Sequence, residues 1–235
     1  MNDTLTRLLA LAEADASLRT LDGRLADLDR EEKHLDDRLA AEDEGFKRRQ
    51  DESRALRLSA LAKSGEVDDT DAKIRGYQRK LDHDIIPYKE MEHLREQVTF
   101  LRGRLDGLAD EALQLMADAD ADEEKLKTET EEHAARRARL EGELAAVARR
   151  RAETLVERED LRAKREELFQ QVPSHLRGTY ERLLAGGGSP VVPVAGGVCG
   201  GCHLRLVETT VEKVKADREA VTCEHCSRFL YLRPA

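Results

Sequence analysis

The chain has 235 residues, 38% of them charged and only 3% aromatic, with no Trp. So little bulky apolar material excludes a thick globular core, and the Ala-, Leu-, Glu-, Asp- and Arg-rich stretches point instead to elongated helices with a narrow buried seam. The formal net charge of −9 argues against a surface coated in basic residues for indiscriminate nucleic-acid binding, while leaving room for a local basic site.

The N-terminal stretch MNDTLTRLLALAEAD has neither a basic n-region nor a cleavage site. No apolar run approaches the ~18 residues needed to cross a bilayer. A cytoplasmic chain without a membrane partner is expected. From Leu18 onward, apolar residues recur in alternating steps of three and four through Leu21, Leu25, Leu28, Leu35, Leu39, Phe46 and Leu56, which is a heptad seam. A second seam in one register runs through Met91, Leu94, Val98, Leu101, Leu105, Leu108, Ala112, Leu115 and Ala119. It continues more thinly through Leu126, Leu140, Val147, Leu161 and Leu168. Its polar distal half predicts looser, more bent packing.

Two segments can hold the turn between these helices, Ser64 to Asp69 and Asp82 to Pro87, and charge separates them. With the fold centred near Ile85, residue i faces roughly residue 170 − i in an antiparallel pair. Lys47, Arg48 and Arg49 then lie opposite Asp118 to Glu124, Asp27 to Asp37 opposite Arg136, Arg137 and Arg139, and Arg149 to Arg151 near Asp15 and Asp22. A turn near Glu66 leaves Arg136 to Arg139 without a facing segment. The expectation is therefore a hairpin over residues 1–171 with its turn near 82–87, Pro87 opening the second helix and Gly65 marking a kink in the first. Each arm is ~80 residues, or ~120 Å at 1.5 Å per residue. Complementary charges on the facing arm also account for the arginine runs without invoking phosphate.

The heptads end at Gln171-Val172-Pro173. A short helix from Ser174 to Leu184 leads to Gly186-Gly187-Gly188-Ser189-Pro190, a loop without helix potential, and then to the β-branched Val191, Val192, Val194 and Val198. A second domain, residues 172–235, is expected here. It contains all four cysteines, as Cys199-Gly200-Gly201-Cys202 and Cys223-Glu224-His225-Cys226. Two such pairs suit a tetrahedral Zn²⁺, each closing a knuckle on the metal, and four thiolates leave no open position, so one structural zinc is expected. Iron suits the same geometry. In an oxidising compartment the pairs would be disulfides instead, which the N-terminal stretch disfavours. His203 and His225 flank the ligands and are read as solvent-facing or outer partners. A module of this size cannot bury enough surface to fold unaided, so metal binding and folding should be coupled.

Neither a phosphate-binding Gly-rich motif, nor H-E-x-x-H, nor a nucleophile elbow occurs. No enzymatic role and no small-molecule substrate are expected. The fold class is mainly α, a long antiparallel coiled-coil hairpin followed by a small β-rich four-cysteine zinc ribbon.

The segments Lys89-Glu90-Met91-Glu92-His93-Leu94 and Ala112-Leu113-Gln114-Leu115-Met116, and the Tyr180-Glu181-Arg182 before the cysteine pairs, resemble the bacterial C4-type zinc-ribbon coiled-coil proteins over nearly the whole chain. The turn differs, reading Asp-His-Asp-Ile-Ile-Pro where that family more usually has Ser-Gly-Lys-Val-Thr-Asn-Pro. The resemblance implies zinc ligation by Cys199, Cys202, Cys223 and Cys226. It further implies adaptor or chaperone action without catalysis, toward an alternative sigma factor or flagellar or secretion components, or nucleic-acid binding.

Two functions follow. In one, the ribbon binds DNA or RNA through Arg205, Lys213, Lys215, Arg218, Arg228 and Arg233, with Phe229 and Tyr231 available for base stacking. Residues 172–235 carry eight basic and six acidic side chains, so with zinc and four thiolates the module is near neutral and an asymmetric basic face is required. In the other, the chain is a protein adaptor, and the polar seam from Glu129 to Arg136 can re-pair with a partner helix. A homodimer is a further option for the chain.

Overall fold

The structure is a computed structural model that describes residues 2–232. Helix α1 spans Asp3–His83 and helix α2 spans Tyr88–Gln171. The chain turns between them: the Asp84 N–H still reaches Lys80, and the Pro87 carbonyl accepts the first helical bond of α2, from Met91, at 3.0 Å. Proline is suited to this entry because its missing N–H would find no partner there. Helical structure runs through Gly65 without interruption. Beyond α2 come α3 (Ser174–Ala185), β1 (Val191–Ala195), β2 (Val198–Cys199), α4 (Glu208–Ala216), β3 (Val221–Thr222) and β4 (Phe229–Leu232). None of the described helices is long and apolar enough to cross a membrane. The chain divides into two compact units, one of Met1–Lys33 with Ala145–Ala235 and the other of His34–Leu144.

Within the unit His34–Leu144 the two arms meet as a thin antiparallel seam. Leu35, Ala60 and Ile74 of α1 and Leu94, Val98, Leu108, Ala112 and Leu140 of α2 are buried. Where the sequence offered only polar residues the seam is filled by His133, whose ring stacks on Phe46 with centroids 4.2 Å apart and planes 10° from parallel. Its Nε2 lies 3.1 Å from Asp43. Around it, Arg49 bridges Asp122 at 2.7 Å and Glu129 at 2.8 Å, and Arg136 pairs with Glu42 at 2.6 Å. The stretch from Glu129 to Arg136 thus has partners within its own hairpin, which removes the free pairing capacity expected of it. Asp122 is held below the usual carboxylate range by hydrogen bonds, that from Arg49 first and that from Ser53 next.

The ion pairs correct the expected register. Arg150 and Arg151 meet Glu31 and Asp29, not Asp15 and Asp22, which pair with Arg165 and Arg158. Arg137 meets Asp43, and the Arg139 Nε bonds Glu143 of its own helix. Arg49 with Asp122 keeps the expected register, whereas Arg151 with Asp29 and Arg165 with Asp15 join residue i to a residue near 180 − i; side chains that lean toward their helix N-termini account for part of this offset. The exposed pairs of Arg137, Arg150 and Arg151 set register more than stability.

Within the other unit, the ends of α1 and α2 carry a mixed sheet of strand order β2-β1-β4-β3. Central β1 and β4 run parallel, with Val191 opposite Phe229 and Val194 opposite Leu232, and β2 and β3 are antiparallel additions. Alternation sends successive side chains to opposite faces. Val191 and Phe229 join Leu5, Leu8 and Leu11 of α1, Val172 from the link between α2 and α3, and Tyr180 of α3 in one core. Val192, Val194 and Leu230 join Leu206, Val214, Cys199 and Cys223 in another. The sheet is therefore apolar on both faces.

A buried polar knot fastens α3 to the ends of the long helices. The Tyr180 hydroxyl donates to Asp15 at 2.6 Å, and the Arg165 Nε donates to the other Asp15 oxygen at 2.9 Å. Burial, then the bond to Asp15, holds the Tyr180 phenol far above its ordinary range, so it is a permanent donor. Arg165 also lies over the Phe169 ring, 4.9 Å from its centroid. Tyr180→Phe should cost about 1–2 kcal/mol, and Asp15→Ala about 3 kcal/mol because it strands a largely buried guanidinium as well. Urea unfolding followed by circular dichroism checks this, and unchanged midpoints in both variants would show that the knot contributes nothing.

Candidate metal centre

Each cysteine pair forms the same knuckle. After Cys202, His203 takes φ 60° and returns its N–H to the Cys199 carbonyl at 2.9 Å; after Cys226, Ser227 takes φ 60° and returns its N–H to the Cys223 carbonyl at 2.9 Å. The left-handed residue reverses the chain just past the second cysteine and turns both thiols of a pair to one side. The Gly201 N–H also points at the Cys199 sulfur, at 3.4 Å. Gly200 is needed for closeness to β1: its own N–H donates to the Pro193 carbonyl, and a Cβ there would lie 2.7 Å from that oxygen.

Cys199 Sγ lies 3.8 Å from Cys226 Sγ and Cys202 Sγ 3.8 Å from Cys223 Sγ, and all four sulfurs fall within 4.8 Å of one another. A tetrahedron with Zn–S bonds of about 2.3 Å has edges of about 3.8 Å, so the donor set fits one closed, structural zinc ion. The cysteines are free thiols, not disulfides. Burial pushes Cys199 and Cys223 above the ordinary thiol range. Burial acts on Cys226 in the same sense but is outweighed, by the backbone and side chain of Arg228 among others, leaving it at about 7. Neither flanking histidine is a ligand: His203 is exposed, and the His225 Nε2 lies 3.3 Å from the Arg205 carbonyl.

The basic residues read as nucleic-acid contacts are scattered. Arg205 is exposed on a single bridge to Val198. Lys213 and Lys215 stand in the last turn of α4, where cations offset the helix dipole, and Arg218 is exposed just beyond it. That helix, between the cysteine pairs, went unread because nine residues with few apolar positions give little periodic signal. Arg228 is half-buried, and Arg233 lies outside the described residues. Phe229 is fully buried, and Tyr231 packs against the same core of α1 and α3, so stacking on bases is not open to Phe229.

Residues 11–188 match the CT398-like coiled coil hairpin domain and residues 198–230 the C4-type zinc ribbon domain. The chain belongs to the CT398-like coiled-coil hairpin family. Two uncharacterized Mycobacterium tuberculosis proteins, MT2288 and Rv2229c, are each 26% identical to it, across 95% of this chain and 93% of theirs. Among solved structures, CT398 from Chlamydia trachomatis has the same fold, with a TM-score of 0.78 and 21% identity over 98% of both chains. A Mycobacterium smegmatis protein matches with a TM-score of 0.61 and 22% identity over 99% of this chain and 100% of that one.

Elemental analysis of protein purified without chelator should find close to one zinc per chain, and Cys199→Ser should lose most of it. Metal-free, fully disulfide-bonded protein with an intact ribbon would contradict the assignment.

Proposed function

We propose that this family member is a non-enzymatic protein adaptor, with a hairpin that presents the partner-binding surface and a zinc ribbon that is structural. The observation that carries this reading is where the large exposed apolar residues fall. Ile85, Tyr88, Phe100, Leu113 and Met116, with Leu58 and Leu61, are exposed in the unit His34–Leu144, against Val156, Leu204, Val207 and Leu232 in the other. Scattered single apolar residues are ordinary on a surface, but Tyr88 and Phe100, 73% and 65% exposed, flank one shallow groove with Met91, Arg95 and Thr99. All of its lining, Glu92 and Glu96 included, comes from one face of α2, and in a chain with 3% aromatic residues two exposed rings on one helix face suit a protein partner. The partner class is the one the family resemblance suggests, a transcription or secretion component.

Nucleic-acid binding through the ribbon is supported less. Phe229 is buried and Tyr231 half-buried against the same core, and the two lysines stand at the end of α4. What remains is Arg205, Lys213, Lys215 and Arg218, interleaved with Glu208, Glu212 and Glu219.

A photocrosslinking residue substituted for Tyr88 or Phe100 should capture protein in cells. The same residue in place of Val156, another exposed apolar position, should capture little. Purified protein should show no saturable, salt-sensitive binding to single- or double-stranded DNA or RNA at moderate ionic strength. Nucleic-acid binding that disappears in Lys213→Glu with Lys215→Glu, together with no crosslinks at either aromatic position, would replace the adaptor reading with the ribbon one.

A further inference from the structure

We propose that Arg228 belongs to the metal centre as its outer cation, held in a slot made by Gly188 and Gly201, where it offsets thiolate charge and slows release of the metal. Four thiolates around Zn²⁺ leave a net charge of about −2, with Cys199 and Cys223 buried and Cys202 and Cys226 half-buried. Arg228 is half-buried, and among the described residues no carboxylate pairs with it. A guanidinium withdrawn from water needs a partner. Its side chain lies against Gly201, between the ligands Cys199 and Cys202, where a Cβ would meet both its Cδ and its Nη1.

The slot is built from two distant pieces of chain. A Cβ on Gly188, in the loop between α3 and β1, would lie 2.8 Å from Arg228 Nη2. A Cβ on Gly201, inside the first knuckle, would lie 2.6 Å from Arg228 Cδ and 3.2 Å from Nη1. The two knuckle glycines therefore have separate reasons: Gly200 admits the β1 carbonyl and Gly201 admits the arginine. The backbone of Arg228 is fixed as well, its carbonyl accepting the Cys223 N–H at 2.9 Å. Next in sequence, Phe229 is buried in the core of α1 and α3, which fixes the point from which the arginine side chain projects. Arginine suits the position better than lysine, because a planar, weakly hydrated fork loses less on leaving water and can serve a sulfur with one arm.

The test uses the full chain loaded with zinc. Competition with a chromophoric chelator should show Arg228→Met binding zinc about 10- to 100-fold more weakly, the range typical of groups that support metal ligands from outside. Metal transfer to excess chelator should be correspondingly faster. Arg228→Lys should fall between Arg228→Met and the parent. Gly201→Ala should shift affinity in the same direction as Arg228→Met by a smaller factor, because the added methyl displaces a flexible side chain. Lys213→Met is the control and should leave zinc affinity unchanged. In cobalt-loaded protein the sulfur-to-metal charge-transfer band should move in Arg228→Met and stay in place in Lys213→Met, a readout that packing alone would not shift. If Arg228→Met does not fold, the lysine and Gly201→Ala variants decide. Parental affinity, release rate and cobalt spectrum in the variants that fold would overturn the proposal. A loss confined to salt-dependent binding of a single-stranded oligonucleotide would overturn it in favour of a phosphate contact.

Discussion

A small sheet with apolar side chains on both faces cannot stand in water, and the rest of the ribbon follows from how each face is covered. Val191 and Phe229 project to the side of α1 and α3, and Val192, Val194 and Leu230 to the side of the cysteines. On the first side the cover is a helical core with Leu8, Leu11 and Tyr180 fully buried. On the second it is only a few residues deep, with two of the cysteines as core members. There the sulfurs are packing and ligation at once, and a metal that draws them together adds cohesion that so few apolar contacts cannot supply. Deprotonated cysteines are poor core residues without the cation, so neither the second core nor the metal centre is stable by itself.

The hairpin solves a different problem, uniqueness with little apolar area. A seam one or two residues wide leaves neighbouring registers close in energy, and polar residues within it restrict the choice. His133 stacks on Phe46 and meets Asp43, and Thr154 is buried with its hydroxyl returned to the Arg150 carbonyl at 2.7 Å. His133, Leu140, Val147 and Thr154 stand at heptad spacing and all are buried. Heptad periodicity thus continues through the stretch that seemed to lack it, carried by residues whose polar atoms find partners.

The cysteine pairs were legible because ligand spacing is a local covalent matter, and the long helices because their apolar period repeats many times. Pairing in the hairpin was legible in kind and shifted in detail. Matching charged segments compares backbone positions, whereas ion pairs form at the ends of long side chains that lean along their helices. Less was readable in the ribbon. Phe229 and Tyr231 alternate on β4 whether that face meets solvent or another core, and only the docking of β4 beside β1 decides between them. Nor did Gly-Gly between two cysteines say more than that the turn is tight. The presence of an arginine beside Gly201 depends on Arg228, far along the chain, and no sequence pattern links the two.

A near-neutral ribbon with several arginines and lysines on an acidic chain invites a search for an anionic ligand, but the fold consumes its cations first. Lys213 and Lys215 stand in the last turn of α4, Arg177 donates to the carbonyls of Gln170 and Val172 at 2.6 and 2.8 Å, and Arg228 lies against Gly201 in the first knuckle. Each meets a negative charge or dipole that folding itself creates, at a helix end or at a cluster of sulfurs. Charge counts over a small metal domain therefore overstate the cationic surface left for a partner. In such domains a basic residue supports ligand recognition only once helix termini and thiolates have been counted among its competitors.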